Sequence, residues 1–311
     1  MLAALVSIGI LSLFEPQSLL LETAEIAVGG ERIRVAAPVE VRAEGNHVVC
    51  RIGSREVRGA LLTGPGPRVR IVLPKRFART YEGRVKIAAV EGKLFPVITM
   101  DLETAVSRVV AAEMPSAAKE AQKAQAIAAR SYYRSAGRTH TLFDFCDTTH
   151  CQLLQEREDR VAADATAGQV LTYQGRILRA LYFRSCSGRT LQPADILWSG
   201  EGYAYQRVEC AACRRDPKQW ESRLPRRALP EKASEKRRLE VAREFGWDSL
   251  PSNTYTVLED GGNGKTVLVR GLGEGHGVGM CQRGASAMGA AGGADAQTIL
   301  RHYFPGAEVT R

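Results

Sequence analysis

Residues 101–135 read DLETAVSRVVAAEMPSAAKEAQKAQAIAARSYYRS, and the character of the chain changes there. Asp101 is placed to cap a helix running through Ala112, because a short carboxylate can accept the orphan N–H groups of a first helical turn. Leu102, Val106, Val109 and Val110 recur at three- and four-residue spacings and give that helix one apolar face. Glu113-Met114-Pro115 interrupts it, since proline brings no N–H and its ring clashes with the preceding turn. Ser116 is placed to cap a second helix that runs to about Ser135 and stops at Gly137. Its alanines, Ala117, Ala118, Ala121, Ala124, Ala126, Ala128 and Ala129, carry high helix propensity and allow close packing.

Upstream, short runs rich in β-branched and apolar residues occupy 19–21, 31–35, 39–41, 47–52, 68–73, 85–90 and 95–98. Gly29-Gly30, Gly45-Asn46, Gly64-Pro65-Gly66 and Gly92 punctuate them, which is the pattern of a β-rich region over residues 1–100. The apolar first fourteen residues lack the basic start of a secretory signal, since no Lys or Arg precedes Arg32, and they are too short to span a bilayer. Val6, Ile8, Ile10 and Leu13 fit a buried first strand instead. If the protein is exported, its true start is expected upstream of Met1.

Downstream, residues 139–155 form a polar loop with two His and two Cys. A helix-like stretch at 162–165 leads to strands at 169–173 and 177–185 around Gln174-Gly175. An irregular stretch from Trp198 to Trp220 follows, then a charged helix within 226–246. Strands at 254–258 and 266–269 flank the turn Gly261-Gly262-Asn263-Gly264, and a helix at 295–303 closes the chain. The expected class is α+β: a β-rich N-terminal subdomain, residues 1–100, packed on a mixed α/β core, residues 101–311.

The bulk composition excludes disorder, with 44% hydrophobic and 25% charged residues in 311. A net charge of +9 favours polyanionic partners: nucleic acid, anionic lipid or anionic wall polymer. Aromatics are only 6% and no glycine–aromatic RNA-binding motif occurs, so nucleic acid is not expected. Seven cysteines is an odd count, so at least one is free, bound to metal or paired between molecules.

Four places could carry chemistry. Glu113, at a break between helices, can be held rigidly and still meet a cleft, as a general acid must. The end of the preceding helix would raise its pKa and the start of the next would lower it. His140, Cys146, His150 and Cys151 offer four soft or borderline ligands within twelve residues, and zinc takes Cys and His in tetrahedral sets of four. The alternative is two surface histidines with a disulfide or free thiols. In residues 271–279, GLGEGHGVG, every second residue is glycine, so one face of an extended segment is bare and a backbone or a sugar ring can approach it. His276 and Glu274 would project from the other face. Cys210-Ala-Ala-Cys213 has metal or redox spacing, and a disulfide from Cys186 to Cys210 or Cys213 is the competing expectation.

Taken together, residues 109–130 (VVAAEMPSAAKEAQKAQAIAAR), 143–152 (FDFCDTTHCQ), 165–173 (ATAGQVLTY), 182–190 (YFRSCSGRT), 273–285 (GEGHGVGMCQRGA) and 299–306 (ILRHYFPG) resemble the SpoIID/amidase-enhancer family, in family order. The resemblance implies a lytic transglycosylase that cuts peptidoglycan glycan strands stripped of their stem peptides, in an extracytoplasmic, cell-envelope setting. It makes Glu113 the catalytic acid, which protonates the glycosidic oxygen while the muramic acid 6-hydroxyl attacks its own anomeric carbon to leave a 1,6-anhydro end. It also implies substrate contacts at Arg130, Ser187, Thr190, Gly275, His276, Gly277, Gly279 and Gln282. It implies structural zinc on His140, Cys146, His150 and Cys151, no organic cofactor, and a cell-wall amidase as a possible partner. The family's other role, a wall-binding activator of an amidase without cleavage of its own, is the alternative. The chain departs from the family at Cys281, where serine is usual, and at Gly188-Arg189, where two glycines are usual.

Overall fold

The computed structural model describes residues 4–135, 137, 140–198, 203–258, 265–291 and 293–311, so the turn expected at 261–264 lies outside the described residues. The fold is α+β, as the sequence predicts. The chain divides into two compact units, one of Met1–Glu113 with Ala136–Val161 and one of Met114–Ser135 with Ala162–Arg311. The change of character at residue 101 is therefore a change of secondary structure, while the compact units part after Glu113.

The first unit contains β1 (Leu5–Gly9), β2 (Ser18–Glu22), β3 (Glu25–Val28), β4 (Glu31–Arg34), β5 (Val39–Glu44), β6 (His47–Ile52), β7 (Arg55–Gly59), β8 (Leu61–Gly64), β9 (Arg68–Leu73), β10 (Phe77–Glu82), β11 (Arg84–Val90), β12 (Lys93–Asp101), α1 (Leu102–Glu113) and β13 (Phe145–Cys146). They form a seven-stranded sheet in the order β13-β1-β12-β11-β8-β3-β4 and a six-stranded sheet in the order β10-β9-β2-β5-β6-β7. Alternation sets the faces. Val69, Ile71 and Leu73 of β9 point inward between exposed Arg68 and Arg70, and Val85, Ile87 and Ala89 of β11 do the same between exposed Arg84 and Lys86. β11 meets β5, β6 and β9, so the two sheets stack over a shared apolar interior.

β1 bears out the buried-strand reading of the first residues. It pairs antiparallel with β12, Ile8 opposite Ile98, and parallel with β13, Gly9 opposite Cys146. Leu13 lies beyond the strand and is exposed. β3, β7, β8 and β10 escaped the sequence reading, with a physical reason in two of them: β7 (REVRG) buries only Val57, and β10 (FARTYE) buries only Tyr81.

The second unit contains α2 (Lys119–Ser135), most of α3 (Arg160–Ala165), β14 (Val170–Tyr173), β15 (Arg176–Ile177), β16 (Tyr182–Phe183), α4 (Ala211–Arg215), β17 (Gln219–Pro225), α5 (Glu235–Phe245), β18 (Tyr255–Leu258), β19 (Thr266–Leu272), β20 (Met280–Cys281), α6 (Gln282–Ala291), α7 (Ala296–Tyr303) and β21 (Glu308–Thr310). Ala121, Ala124, Ile127 and Ala128 of α2 are buried with Val278, Met280, Ala285, Ile299, Leu300 and Tyr303 in one core. The alanine run is what lets α6 and α7 come close to α2. A second, smaller core of Leu224, Val241, Leu250, Val267 and Val269 joins α5 to the sheet β17-β19-β18.

Several expectations need correction here. Ser116 does not cap α2, which begins at Lys119 after a turn closed by the Ala117 N–H on the Met114 carbonyl. The Ala118 N–H is satisfied instead by Ser286 Oγ at 3.1 Å. The run at 177–185 is broken into the short strands β15 and β16. The stretch between Trp198 and Trp220 holds α4 and the start of β17. α6 (QRGASAMGAA) was missed because its two glycines carry low helix propensity. Among the described residues no helix is long and apolar enough to cross a membrane.

Candidate functional site

In the first unit Asp101 caps α1 as expected, its Oδ1 accepting the N–H groups of Glu103 (2.9 Å) and Thr104 (3.1 Å). Val106, Val109 and Val110 are fully buried, so packing fixes the helix along its length. Glu113 is its last residue, because Pro115 restricts the backbone just beyond. The Glu113 side chain is half-buried, and its Oε1 accepts the Leu153 N–H at 3.2 Å.

That bond ties the carboxylate to the loop carrying the Cys/His set. β1 anchors the loop through its pairing with β13, and the Phe143 ring stands where a side chain on Gly9 would be, 2.5 Å from a Cβ built there. Asp147 closes the anchor. Its carboxylate accepts the N–H groups of Leu11 (2.9 Å) and Ser12 (3.3 Å), while its own N–H donates to the Gly9 carbonyl at 3.0 Å. Burial pushes the Asp147 carboxyl above the usual carboxylate range.

The structure brings all four expected ligands together. The donor atoms of His140, Cys146, His150 and Cys151 lie within 4.8 Å of one another. His140 Nε2 is 3.4 Å from Cys151 Sγ, and His150 Nδ1 is 3.7 Å from Cys146 Sγ and 3.6 Å from Cys151 Sγ. The Cys146 thiol is held well below its ordinary pKa, first by Cys151 and then, against burial, by His150 and Thr148. Two thiols and two imidazoles at that spacing are a set that could hold a metal ion.

In the second unit the glycine segment behaves differently from a bare sugar platform. Gly273, Gly275, Gly277 and Gly279 all have positive φ, between 83° and 98°, so each needs the freedom of glycine. Their open sides are filled by the protein's own chain. A Cβ on Gly273 would lie 2.5 Å from the Ser185 carbonyl, one on Gly275 2.9 Å from Phe183 Cβ, and one on Gly277 2.7 Å from Leu191 Cδ1, while one on Gly279 would overlap the Leu181 carbonyl. Backbone bridges Ser185–Glu274, Leu191–Val278 and Ser252–Gly275 stitch the segment to its neighbours. The bare sides of the glycines face the backbone at Ser185 and Leu181 and the side chains of Phe183 and Leu191.

His276 sits between the rings of Phe183 and Trp198, at centroid distances of 5.5 Å and 5.4 Å. Its Nδ1 accepts the Val278 N–H at 3.1 Å, so the ring proton is on Nε2, which donates to the Tyr182 carbonyl at 2.9 Å. Desolvation lowers its pKa to about 4; Glu235 pulls it back up and Arg238 pushes it further down. The imidazole is therefore neutral, with both nitrogens engaged in holding the segment. Glu235 itself, which burial would raise, is kept below the usual carboxylate range by Arg238 and Asn253.

The remaining residues implied by the resemblance are built into the fold. Arg130 is fully buried, and its guanidinium donates to the carbonyls of Gln169 (2.9 Å) and Ala163 (3.2 Å). Thr190 is buried, its Oγ1 donating to the Gln206 carbonyl and accepting the Val208 N–H. Gln282 is buried, with its Nε2 3.4 Å from Gln125 Oε1. Ser187 is half-buried in the turn after β16.

One assembly went unforeseen as a set. Cys186, Cys210, Cys213 and Cys281 converge, all buried, with every Sγ within 4.8 Å of the others. Cys186, Cys210, Cys213 and Cys281 form no disulfide, so the one expected from Cys186 to Cys210 or Cys213 is not made. The Cys-x-x-Cys spacing was a visible signal for half of this set. Cys281, more than sixty residues away along the chain, had none.

With this geometry in place, residues 90–173 match the family model described as SpoIID, stage II sporulation protein. Over that stretch the chain resembles the SpoIID family. The SpoIID match spans Glu113, Arg130 and the whole Cys/His loop. Over 270 residues the chain is 27% identical to an uncharacterized protein of Brachyspira hyodysenteriae, covering 74% of this chain and 72% of that one. Over 266 residues it is 26% identical to the stage II sporulation protein D of Bacillus amyloliquefaciens, covering 69% of this chain and 75% of that one.

Proposed function

We propose that this protein is a peptidoglycan lytic transglycosylase of the cell envelope with Glu113 as its acid and base. The match to SpoIID over residues 90–173 and the likeness to a stage II sporulation protein D support a cell-wall-related sporulation protein, and the finer reading rests on the setting of Glu113. The carrying observation is a half-buried carboxylate at the last residue of a packed helix, with one oxygen held by the Leu153 N–H. A general acid needs that combination of fixed position and access. Glu113 gives its proton to the glycosidic oxygen as the bond to the anomeric carbon breaks. It then takes the proton of the muramic acid 6-hydroxyl as that oxygen closes on the same carbon, so no water is consumed.

The Cys/His set suits zinc, whose tetrahedral sites accept two thiolates and two imidazoles. His140, Cys146, His150 and Cys151 would hold it, and the ion would supply a cross-link within the loop that carries Leu153. The chemistry at the sugar belongs to Glu113. The net charge of +9 favours an anionic wall polymer as the surface on which the enzyme works.

The test is mass spectrometry of denuded glycan strands digested by the purified protein. Products ending in 1,6-anhydro-muramic acid are expected, with Glu113→Gln slowing their release by about 10²–10⁴-fold. Product release by the variant at the parent rate removes Glu113 from the chemistry. Reducing ends in place of anhydro ends make the protein a hydrolase. Salt-sensitive pelleting with peptidoglycan and stimulation of an added amidase, without any cleavage, would favour the activator role instead.

A further inference from the structure

We infer that Cys186, Cys210, Cys213 and Cys281 form a second metal site, a buried tetrathiolate centre for one zinc-like ion inside the second unit. The four residues come from three separate segments: the turn after β16, the start of α4 and the end of β20. Each is at most 3% exposed. Thiols acting merely as small apolar side chains have no reason to point at one another, yet all four Sγ atoms lie within 4.8 Å of each other.

The spacing selects the kind of ion. A tetrahedral zinc with Zn–S of about 2.3 Å places its sulfurs about 3.8 Å apart. Cys213 Sγ and Cys281 Sγ are 3.6 Å apart, too far for a disulfide and close to a tetrahedral edge. A four-iron cluster, whose thiolates embrace a body of iron and sulfide, needs a wider cage. An all-thiolate set selects a soft or borderline ion over magnesium or calcium.

The surroundings supply donors to the sulfurs, as a site of net negative charge requires. The N–H groups of Cys186 and Gly284 reach Cys281 Sγ at 3.3 Å and 3.4 Å. The Tyr303 hydroxyl is 3.6 Å from Cys210 Sγ, and Ser185 Oγ is 3.8 Å from Cys213 Sγ. Cys281 also immediately precedes α6, whose N-terminal end favours negative charge. Gly284 has to lack a side chain, since a Cβ there would run into both Tyr303 Oη and Cys210 Sγ. The centre would join segments up to 95 residues apart into one core. It is separate from the Cys/His loop and independent of whether the protein cleaves glycan.

The experiment uses the full chain with the loop silenced by Cys146→Ser and Cys151→Ser. Metal analysis should find about one zinc per chain in that variant. Cobalt substitution should give the intense d–d and thiolate-to-cobalt charge-transfer bands of a tetrahedral four-thiolate site. Adding Cys281→Ser should weaken zinc by more than about 100-fold in competition with a chromophoric chelator. The parent chain provides a measurement that does not depend on these substitutions folding: with zinc bound, these four thiols should be protected from a thiol reagent. A loop-silenced protein that binds no metal overturns the proposal. So does a parent whose four thiols all react freely in the presence of zinc, or one in which any two of them are found as a disulfide.

Discussion

The two sulfur clusters differ in how they are made. The Cys/His loop in the first unit is assembled from twelve consecutive residues, mixes nitrogen with sulfur and is partly open, with His150 exposed. The thiol cluster in the second unit is assembled by tertiary packing, is all sulfur and is fully enclosed. The loop keeps its shape because β1, Asp147 and Phe143 hold it from below. The thiols keep theirs because they are part of the core that α2, α6 and α7 build. A local set can lose its ion and remain anchored. A set that belongs to the core is tied to the stability of the whole unit.

If the second unit is as dry around its centre as this contrast requires, its stability should depend on pH through His276. The folded pKa of about 4 lies below the ordinary value of 6.5, so the unfolded chain binds the extra proton first as pH falls. The contribution of neutral His276 is fully present above pH 6.5 and is lost between 6.5 and about 4. The loss amounts to about 3 kcal/mol, since the folded value of about 4 stands against 6.5 in the unfolded chain and each tenfold change in proton affinity is worth about 1.4 kcal/mol. All three tryptophans, Trp198, Trp220 and Trp247, lie in the second unit, so urea unfolding followed by tryptophan fluorescence reads that unit. His276→Gln should flatten the slope between pH 6.5 and 4. Equal slopes in parent and variant would mean that the ring is solvated and the contrast in dryness fails.

A smaller effect sharpens the same contrast through packing. Gly284→Ala forces a methyl group against Tyr303 Oη and Cys210 Sγ in a core without room for it. Overpacking of this kind costs about 1–3 kcal/mol. Tryptophan-detected unfolding should shift by that amount, and zinc affinity in the loop-silenced protein should fall with it. A shift in stability without any change in metal affinity would show that Gly284 serves packing alone.

What the sequence disclosed follows from the same division between local and tertiary assembly. His47–Ile52, Arg68–Leu73 and α1 were legible because alternation, helical spacing and a capping aspartate are all written in neighbouring residues. Glu113 at a helix end and the four loop ligands were legible for the same reason. α6 and β10 were not: two glycines weaken the helical signal of α6, and β10 buries only Tyr81, so it carries no inward–outward alternation to read. The glycine segment was half-legible: alternate glycines announce a close approach, but only the fold says that the approaching group is the chain itself. Arg130 illustrates the limit. A basic residue inside a family motif suggests a ligand, while the buried guanidinium donates to the backbone carbonyls of Ala126, Ala163 and Gln169.

The smallest expected effect lies at the other end of the helix that carries Glu113. Asp101 holds the N–H groups of Glu103 and Thr104, so Asp101→Ala leaves both without their side-chain partner. A lost cap of this type costs about 1 kcal/mol. The helix should survive, because Val106, Val109 and Val110 are fully buried and packing rather than propensity holds its middle. Hydrogen exchange separates the two contributions. The amides of Glu103 and Thr104 should exchange about five-fold faster in the variant, as 1 kcal/mol of local opening requires, while those of Val109 and Val110 stay protected. Equal acceleration along the whole helix would make the cap, and not the packed valines, what sets the position of Glu113.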